Sequence, residues 1–207
     1  MANFVNLENL RAGIQRFHEQ KNFPEDFHNS LYATLLEKKK ADIDENYWDY
    51  LLDVLAQWRA LRPFSKQFIR TKSQAYLSEI QRNYSRILSE QGNEPQITAC
   101  EWEQIKGLFD AAYKIKGNDS PVFASKLCHF LFPSLFPVAD RALINIQRST
   151  YQVYWTNSKL GWISCPGKNQ LQKELRENIH GAIIPSYPWI TKITELCYIG
   201  SQSLSYK

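Results

Sequence analysis

Residues 48–58 read Trp-Asp-Tyr-Leu-Leu-Asp-Val-Leu-Ala-Gln-Trp, and this stretch decides the fold class. Its large apolar side chains recur at the i, i+3, i+4, i+7, i+10 spacing of one helix face, at Trp48, Leu51, Leu52, Leu55 and Trp58. Arg62-Pro63 follows a few residues later, and the residue before a proline avoids the α-helical region. The stretch therefore predicts an amphipathic helix that ends near this proline.

The same spacing repeats on both sides of this stretch. It predicts further helices over residues 7–17, 31–40, 76–88, 102–112, 121–132, 171–179 and 189–198. Period-two alternation is too rare to build a sheet. We therefore predict an all-α protein of about eight to ten helices, forming one domain over 1–207 with two possible lobes, 1–92 and 98–207. Residues 151–167 are the least regular part of the chain, and we predict a loop or a short hairpin there.

The composition favours a globular protein that needs no metal. A chain of 207 residues that is 43% hydrophobic can bury a core without disulfides. The four cysteines form no CxxC pair and the four histidines no HxxxH pair, so zinc, iron–sulfur and other metal sites are disfavoured. No stretch approaches a membrane span, and residues 1–10 do not resemble a signal peptide. These features predict a cytoplasmic protein with free thiols, no cofactor and no membrane partner.

Positive charge is concentrated in two segments of the chain. The formal net charge is only +4, yet residues 56–90 and 141–176 each carry an excess of five positive charges. Clustered Lys and Arg side chains are typical of surfaces that bind a polyanion such as DNA. Solvated helix faces produce the same pattern, so either interpretation is open for each segment taken alone.

Lys126 occupies an unusual position in the predicted helix over 121–132. On a helical wheel it lies inside the apolar arc, between Val122 and Phe130. A lysine in this position extends to solvent, pairs with a carboxylate, or is desolvated with a lowered pKa, which would make it a nucleophilic amine. The alternative is that it lies at the edge of the core and its stem covers apolar surface.

Asp140 is the natural partner of Lys126. Leu-Phe-Pro occurs twice in residues 131–137, and two prolines four residues apart forbid a continuous helix. This stiff connection brings the next helix near the side of the previous one, with Asp140 at the N-cap position of a helix that would run through 143–146. A carboxylate at an N-cap binds open backbone N–H groups and is held rigidly, as a catalytic group must be.

The Ser125–Arg141 region resembles part of the helix-hairpin-helix DNA glycosylase superfamily. The similarity lies in Ser-Lys-Leu-Cys-His-Phe at 125–130 and Leu-Phe-Pro-Val-Ala-Asp-Arg at 135–141. In that superfamily a Pro-Val-Asp-type segment delivers an aspartate at the start of a helix, and bifunctional members add a lysine on the preceding helix. The glycine-rich Leu-Pro-Gly-Val-Gly turn of the family is absent here, and Ala139 is one extra residue before the aspartate.

The resemblance implies cleavage of the N-glycosidic bond of a damaged or modified base that is flipped out of DNA. Asp140 would stabilise positive charge on the sugar or activate the attacking group, and Lys126 would attack C1′ in a bifunctional enzyme. Phosphate contacts are expected from Arg141, Arg148 and Lys159. Stacking on the base, or filling the gap that it leaves, is expected from Tyr154, Trp155 and Trp162, whose alternative role is ordinary core.

Two classes of function therefore remain after the sequence alone. The first is a DNA glycosylase-like enzyme with a role in DNA repair or antiviral defence. The second is a non-catalytic helical protein that binds nucleic acid or another protein, in which Lys126 and Asp140 form a structural salt bridge. The two classes differ in whether this pair opens into a cleft lined by basic residues.

Overall fold

The computed structural model of the protein describes residues 4–21, 23–116, 121–140 and 148–204. Ten α-helices lie within these residues, α1 (Leu7–His18), α2 (Asn29–Lys38), α3 (Glu45–Gln57), α4 (Lys66–Ser73), α5 (Leu77–Gln91), α6 (Trp102–Lys116), α7 (Pro121–Leu131), α8 (Arg148–Ser164), α9 (Lys168–Asn178) and α10 (Trp189–Leu204). A short 3-10 turn, Ile97–Ala99, precedes α6. The described residues contain no strand, which confirms the predicted all-α class.

Side-chain caps fix where several helices begin. The side chains of Asn6, Asp44 and Ser65 each accept a hydrogen bond from the backbone N–H three residues later, at the start of α1, α3 and α4. Each cap satisfies one of the N–H groups that a helix N-terminus leaves without an intrahelical partner. Helix α4 was not predicted, because its eight residues include only two large apolar side chains and show no full apolar stripe.

The predicted loop or hairpin over 151–167 is wrong, because most of this segment forms α8. The buried side chains of α8 follow a helical spacing that the irregular composition obscures, at Tyr151, Tyr154, Trp155, Ser158 and Trp162. Helix α8 ends just before Cys165-Pro166-Gly167. Its aromatic content reflects a helix that faces the core, rather than a loop.

The first and last helices pack against each other at unusually short range. A Cβ atom added at Gly13 of α1 would lie 1.9 Å from the Leu196 carbonyl oxygen, and one added at Gly200 of α10 would lie 1.9 Å from the Asn9 carbonyl oxygen. Only glycine permits this approach. One cluster of buried apolar side chains runs from Val5 to Ile199 and includes residues of both proposed lobes.

Helix α7 lies at the centre of the fold and carries Lys126. Ten of its eleven residues are buried, and it packs against α3 and α6. Residues 132–140 then continue as a mostly buried, non-helical segment, and Asp140 is its last described residue. Residues 141–147, where the sequence predicted the next helix, lie outside the described residues. The position of α7 therefore places Lys126 between the core and the molecular surface.

Candidate active site

A cleft of about 660 Å³ opens beside the N-terminal half of α7. Its walls come from the connection between α1 and α2, the C-terminal end of α3, helix α7 and the segment that follows it. The lining side chains include polar and charged groups at Lys21, His28, Arg59, Arg62, Lys126 and Asp140, and apolar groups at Phe23, Leu31, Trp58 and Val122. Ligand sites in proteins usually combine this volume with an apolar wall and a few converging polar groups.

Lys126 and Asp140 form an ion pair inside this cleft. The distance from Lys126 Nζ to Asp140 Oδ2 is 2.6 Å, and the side chains are 5% and 21% exposed, respectively. Of the roles open to a lysine within an apolar arc, the structure shows pairing with a carboxylate. Because the carboxylate is the more exposed partner, it meets a ligand more readily than the ammonium does.

The Lys126 ammonium also holds the end of α3. It donates a second hydrogen bond, 3.0 Å long, to the carbonyl oxygen of Trp58, and it lies 5.5 Å from the centre of the Trp58 ring. A positive charge is favourable at a helix C-terminus, where backbone carbonyls have no intrahelical partner. Lys116 supports the same loop by donating to the carbonyl oxygens of Ala60 and Arg62. Two lysines therefore fix the loop that carries Arg59 and Arg62 to the cleft.

The segment that delivers Asp140 is clamped by hydrogen bonds from other elements. Each carbonyl from Pro133 to Val138 accepts one, from Thr191 Oγ1, Ile97 N, Trp155 Nε1, His129 Nδ1, Tyr151 Oη and Tyr154 Oη in that order. The N–H of Ala139 donates to Ser125 Oγ at 3.1 Å. Buried non-helical backbone must find such partners, because an unpaired polar group is costly away from water. Asp140 is therefore attached to a rigid support.

His129 occupies a defined tautomer within this clamp. Its Nδ1 lies 2.7 Å from the Phe136 carbonyl oxygen and its Nε2 lies 2.8 Å from Tyr32 Oη. A carbonyl oxygen only accepts, so Nδ1 carries the proton and Nε2 accepts from the tyrosine hydroxyl. Burial and the positive charge of Lys192 lower the pKa of His129 to about 3, and this histidine is neutral at physiological pH.

The aromatic residues expected to stack on a base are core residues instead. Tyr154 and Trp155 are 2% and 1% exposed, and their polar atoms bind the carbonyls of the segment before Asp140. Trp162 is 6% exposed, and the ammonium of Lys168 lies 5.9 Å from its ring centre. Fully packed rings have no free face for a base, so these residues do not form a DNA surface in this structure. The Tyr154 hydroxyl and the Trp155 indole N–H instead hold the segment before Asp140.

None of the three cationic residues expected to contact phosphates is found among the described residues of the cleft. One is buried elsewhere, and the side chains of the other two are not described by the structure. Lys159 is buried and binds the Cys100 carbonyl oxygen and the Glu101 carboxylate, at 2.6 and 2.7 Å. This pairing leaves it no role as a phosphate contact. Arg141 lies outside the described residues. Helix α8 begins at Arg148, whose side chain also lies outside the description.

Other cations line the cleft in their place. Lys21, Arg59 and Arg62 are exposed at its edge, and among the described residues none of the three has an ion-pair partner. Together with Lys126 they make four cations against one carboxylate, Asp140, among the described residues that line the cleft, so this part of the lining is strongly positive. Sequence reasoning missed Lys21 and left Arg59 and Arg62 within a general basic segment, because residues from three distant loops meet here without any shared periodicity.

His28 is the second site residue that the sequence did not reveal. Its ring packs against Trp58 with 4.2 Å between ring centres. Burial, together with the positive charges of Lys192 and Lys126, holds its pKa well below the ordinary value. Its backbone φ of 66° and that of Arg59, 56°, lie in the left-handed region, which non-glycine residues adopt rarely and which no glycine in the sequence marks at either position.

Neither a metal site among the described residues nor a related protein indicates what the cleft binds. No group of three or more His, Cys, Asp and Glu side chains within the described residues is arranged to hold a metal ion. The four cysteines are all buried free thiols, and none lines the cleft. Within the described chain no helix is both long and apolar enough to cross a membrane. Comparison of the chain with protein-family models, with curated proteins and with solved structures gives no match.

Proposed function

We propose that the protein is a DNA glycosylase-like enzyme that releases a damaged or modified base from DNA. One observation carries this proposal: the Lys126–Asp140 ion pair opens into a single cleft whose edge is formed by Lys21, Arg59 and Arg62. A purely structural salt bridge requires neither a cleft nor a cationic edge. An ion pair with a cationic edge around it suits a substrate whose reacting atom lies at the Asp140 carboxylate and whose neighbouring groups are negatively charged.

The chemistry follows from the position of the carboxylate. Cleavage of the bond between C1′ and the base nitrogen sends the bonding electron pair to the base and leaves positive charge on the sugar. The Asp140 carboxylate stabilises that charge at close range, in a site where partial burial strengthens the interaction. Water then adds to C1′ and loses a proton, and the departing base gains one. The products are a free base and an abasic sugar.

Lys126 has two possible roles in this scheme. As an ammonium it holds the Asp140 carboxylate in place at 2.6 Å and contributes no bond to the substrate. In the bifunctional scheme it first passes its proton to Asp140, and the neutral amine then attacks C1′ and displaces the base. This second route forms a Schiff base and nicks the strand. The geometry favours the first role, because the ammonium is already committed to both Asp140 and the Trp58 carbonyl.

Substitutions at the pair test the proposal. Asp140→Asn keeps the side-chain shape but removes the negative charge, so we expect base release to fall by a factor of 100 or more, on the order expected for a major electrostatic group. Lys126→Gln should reduce base release without abolishing abasic-site formation. The assay is abasic-site formation on a panel of duplexes with damaged and hypermodified bases, with borohydride trapping to detect a Schiff base.

Lys159→Gln provides a matched control for these variants. Lys159 is another buried lysine that binds a backbone carbonyl and a carboxylate, and it does not line the cleft. We expect it to lose stability as Lys126→Gln does, with no loss of base release per folded molecule. Full base release by a folded Asp140→Asn protein would exclude Asp140 as the catalytic residue.

The second candidate function is a nucleic-acid-binding protein without catalysis. The cationic edge of the cleft favours it, because such an edge can bind phosphates without catalysis. The pairing of Lys126 also favours it, because its ammonium already bonds to Asp140 and to the Trp58 carbonyl without a substrate. This candidate predicts that the wild-type protein binds DNA but releases no base from any duplex in the panel. Both pair variants would then lose stability and leave DNA affinity nearly unchanged.

A further inference from the structure

His28 lies in the cleft but takes no part in the chemistry proposed for the ion pair. Its ring packs on Trp58 and meets the edge of Phe17, with 4.2 and 5.7 Å between ring centres. These two contacts fix the plane of the imidazole while the residue lines the cleft. The ring is therefore held ready in one orientation before any ligand enters.

The backbone around His28 is held in an unfavourable conformation. Phe27 and His28 are consecutive non-glycine residues with φ values of 48° and 66°. The two carboxylate oxygens of Asp26 accept from the N–H groups of His28 and Ser30 at 3.0 and 2.9 Å, and Tyr187 donates to the Phe27 carbonyl at 3.2 Å. Residues in such conformations persist where the surroundings fix them, and they concentrate at ligand-binding sites.

The ring nitrogens of His28 differ from those of its buried neighbour His129. Both nitrogens of His129 are hydrogen-bonded within the protein, to Tyr32 and Phe136. Across the described part of the chain, neither ring nitrogen of His28 has a hydrogen-bond partner, and neither is completely buried. The cleft therefore contains a rigid imidazole whose polar edge is available to a ligand.

The charge state of His28 narrows the kind of ligand. Desolvation lowers its pKa well below the ordinary value, and the positive charges of Lys192 and Lys126 lower it further. A neutral imidazole presents one N–H donor and one nitrogen acceptor. That pattern complements the edge of a neutral heterocycle, whereas Lys21, Arg59 and Arg62 complement phosphates.

We propose that His28 recognises the base of the substrate. Its ring nitrogens hydrogen-bond to the edge of a planar heterocyclic base in the cleft, while the Lys126–Asp140 pair acts on the attached sugar. The assignment of sugar and DNA rests on the function proposed above. The heterocycle site itself rests on the rigid ring, its open nitrogens and the aromatic wall at Trp58. His28 is thus a specificity-determining residue, distinct from the catalytic carboxylate.

The test compares two DNA ligands that differ only in the base. His28→Phe keeps a flat ring against Trp58 and Phe17 but removes both nitrogens. Its binding is measured by fluorescence anisotropy on a duplex that wild type processes, and on the same duplex with a tetrahydrofuran abasic analogue in place of the target nucleotide. We expect affinity for the base-containing duplex to fall about tenfold or more, as for loss of a good paired contact, and affinity for the abasic duplex to stay unchanged. His180→Phe, at an exposed histidine outside the cleft, is the control and should change neither.

Equal weakening on both duplexes, or no weakening on either, would overturn this role for His28 while leaving the glycosylase proposal intact. A second measurement keeps the inference testable if wild type binds no DNA, which would remove the proposed function. The 15N signals of the His28 ring are followed by NMR during titration with free adenine, guanine, cytosine and uracil. A saturable shift with at least one of these bases supports the heterocycle site. Absence of any shift would overturn it.

Discussion

The clamp on the segment before Asp140 makes a sharp prediction about two buried tyrosines. The Tyr151 hydroxyl donates to the Pro137 carbonyl at 2.8 Å, whereas the Tyr47 hydroxyl is buried and has no partner among the described residues. Substitution by phenylalanine keeps the ring in both cases, including the stacking of Tyr151 on Phe109, where the ring centres are 4.3 Å apart. The two substitutions therefore differ only in whether a buried hydrogen bond is lost.

The expected magnitudes follow from that difference. Loss of a buried hydrogen bond that leaves a carbonyl poorly satisfied costs about 1–3 kcal/mol, so Tyr151→Phe should lower the free energy of unfolding by this amount. Tyr47→Phe removes an unpaired buried hydroxyl and should be neutral or stabilising by up to ~1 kcal/mol. In a chain of this size Tyr151→Phe should lower Tm by about 2–12 °C.

Urea denaturation and thermal melts of both variants measure these changes. Base release per folded molecule should also fall in Tyr151→Phe, because Pro137 lies three residues before Asp140, and should be unchanged in Tyr47→Phe. If the two variants had the same stability, the hydrogen bonds of the clamp would contribute nothing measurable. The account of Asp140 as a rigidly supported carboxylate would then be wrong.

Three further substitutions test other features of the structure. Gly13→Ala should lower the free energy of unfolding by at least about 2 kcal/mol, because its Cβ would lie 1.9 Å from a backbone oxygen, about 1.1 Å inside the closest approach of 3.0 Å. Gly167→Ala is the control: its Cβ meets only a side-chain oxygen 3.9 Å away, and thermal melts should show no change. Arg59→Gln with Arg62→Gln should weaken DNA binding and reduce the slope of log affinity against log salt by about 2, and an unchanged slope would exclude phosphate contacts at the cleft. His129 has a pKa of about 3 in the folded protein against 6.5 ordinarily, so the unfolded state binds a proton first as the pH falls. As the pH falls from 6.5 to 3, this histidine should therefore lower the free energy of unfolding by about 1.4 kcal/mol per pH unit. Urea titrations of His129→Gln should lack that contribution.

Apolar periodicity predicted the fold class because most helices bury one face. The stripe from Trp48 to Trp58 located the start of α3 to within three residues of Glu45. The helix ends at Gln57, earlier than the proline after Arg62 predicted, because Arg59 adopts the left-handed conformation that commonly follows a helix. Helix α8 escaped prediction because polar residues separate its Tyr and Trp side chains, and the Cys165-Pro166-Gly167 turn that follows suggested a loop. In the structure the polar atoms of Tyr151, Tyr154 and Trp155 bind the carbonyls of the neighbouring segment, so one face of α8 donates hydrogen bonds as well as burying apolar surface.

Some residues of the candidate site could likewise be predicted from the sequence, and others could not. Lys126 and Asp140 were predictable because both lie within one short region, where the helical wheel and the prolines limit the geometry. His28, Lys21, Arg59 and Arg62 join them only through tertiary packing of three loops, and no local pattern encodes such a meeting. Left-handed backbone at His28 and Arg59 is invisible in the sequence, since neither position carries glycine or asparagine.

The close packing of α1 on α10 also constrains how the protein is made. The Cys197 thiol and the Asn6 carbonyl that it contacts lie 191 residues apart in the chain. At ribosomal rates of about 5–20 residues per second, α1 waits roughly 10–40 s before its partner helix has been synthesised. During that interval the face of α1 that approaches α10 at Gly13 stays uncovered, whereas Phe17 meets Phe23 and Phe27 soon after it is made. Exposed apolar surface of this kind makes a nascent chain prone to aggregation, and a chain truncated before α10 would keep that surface exposed.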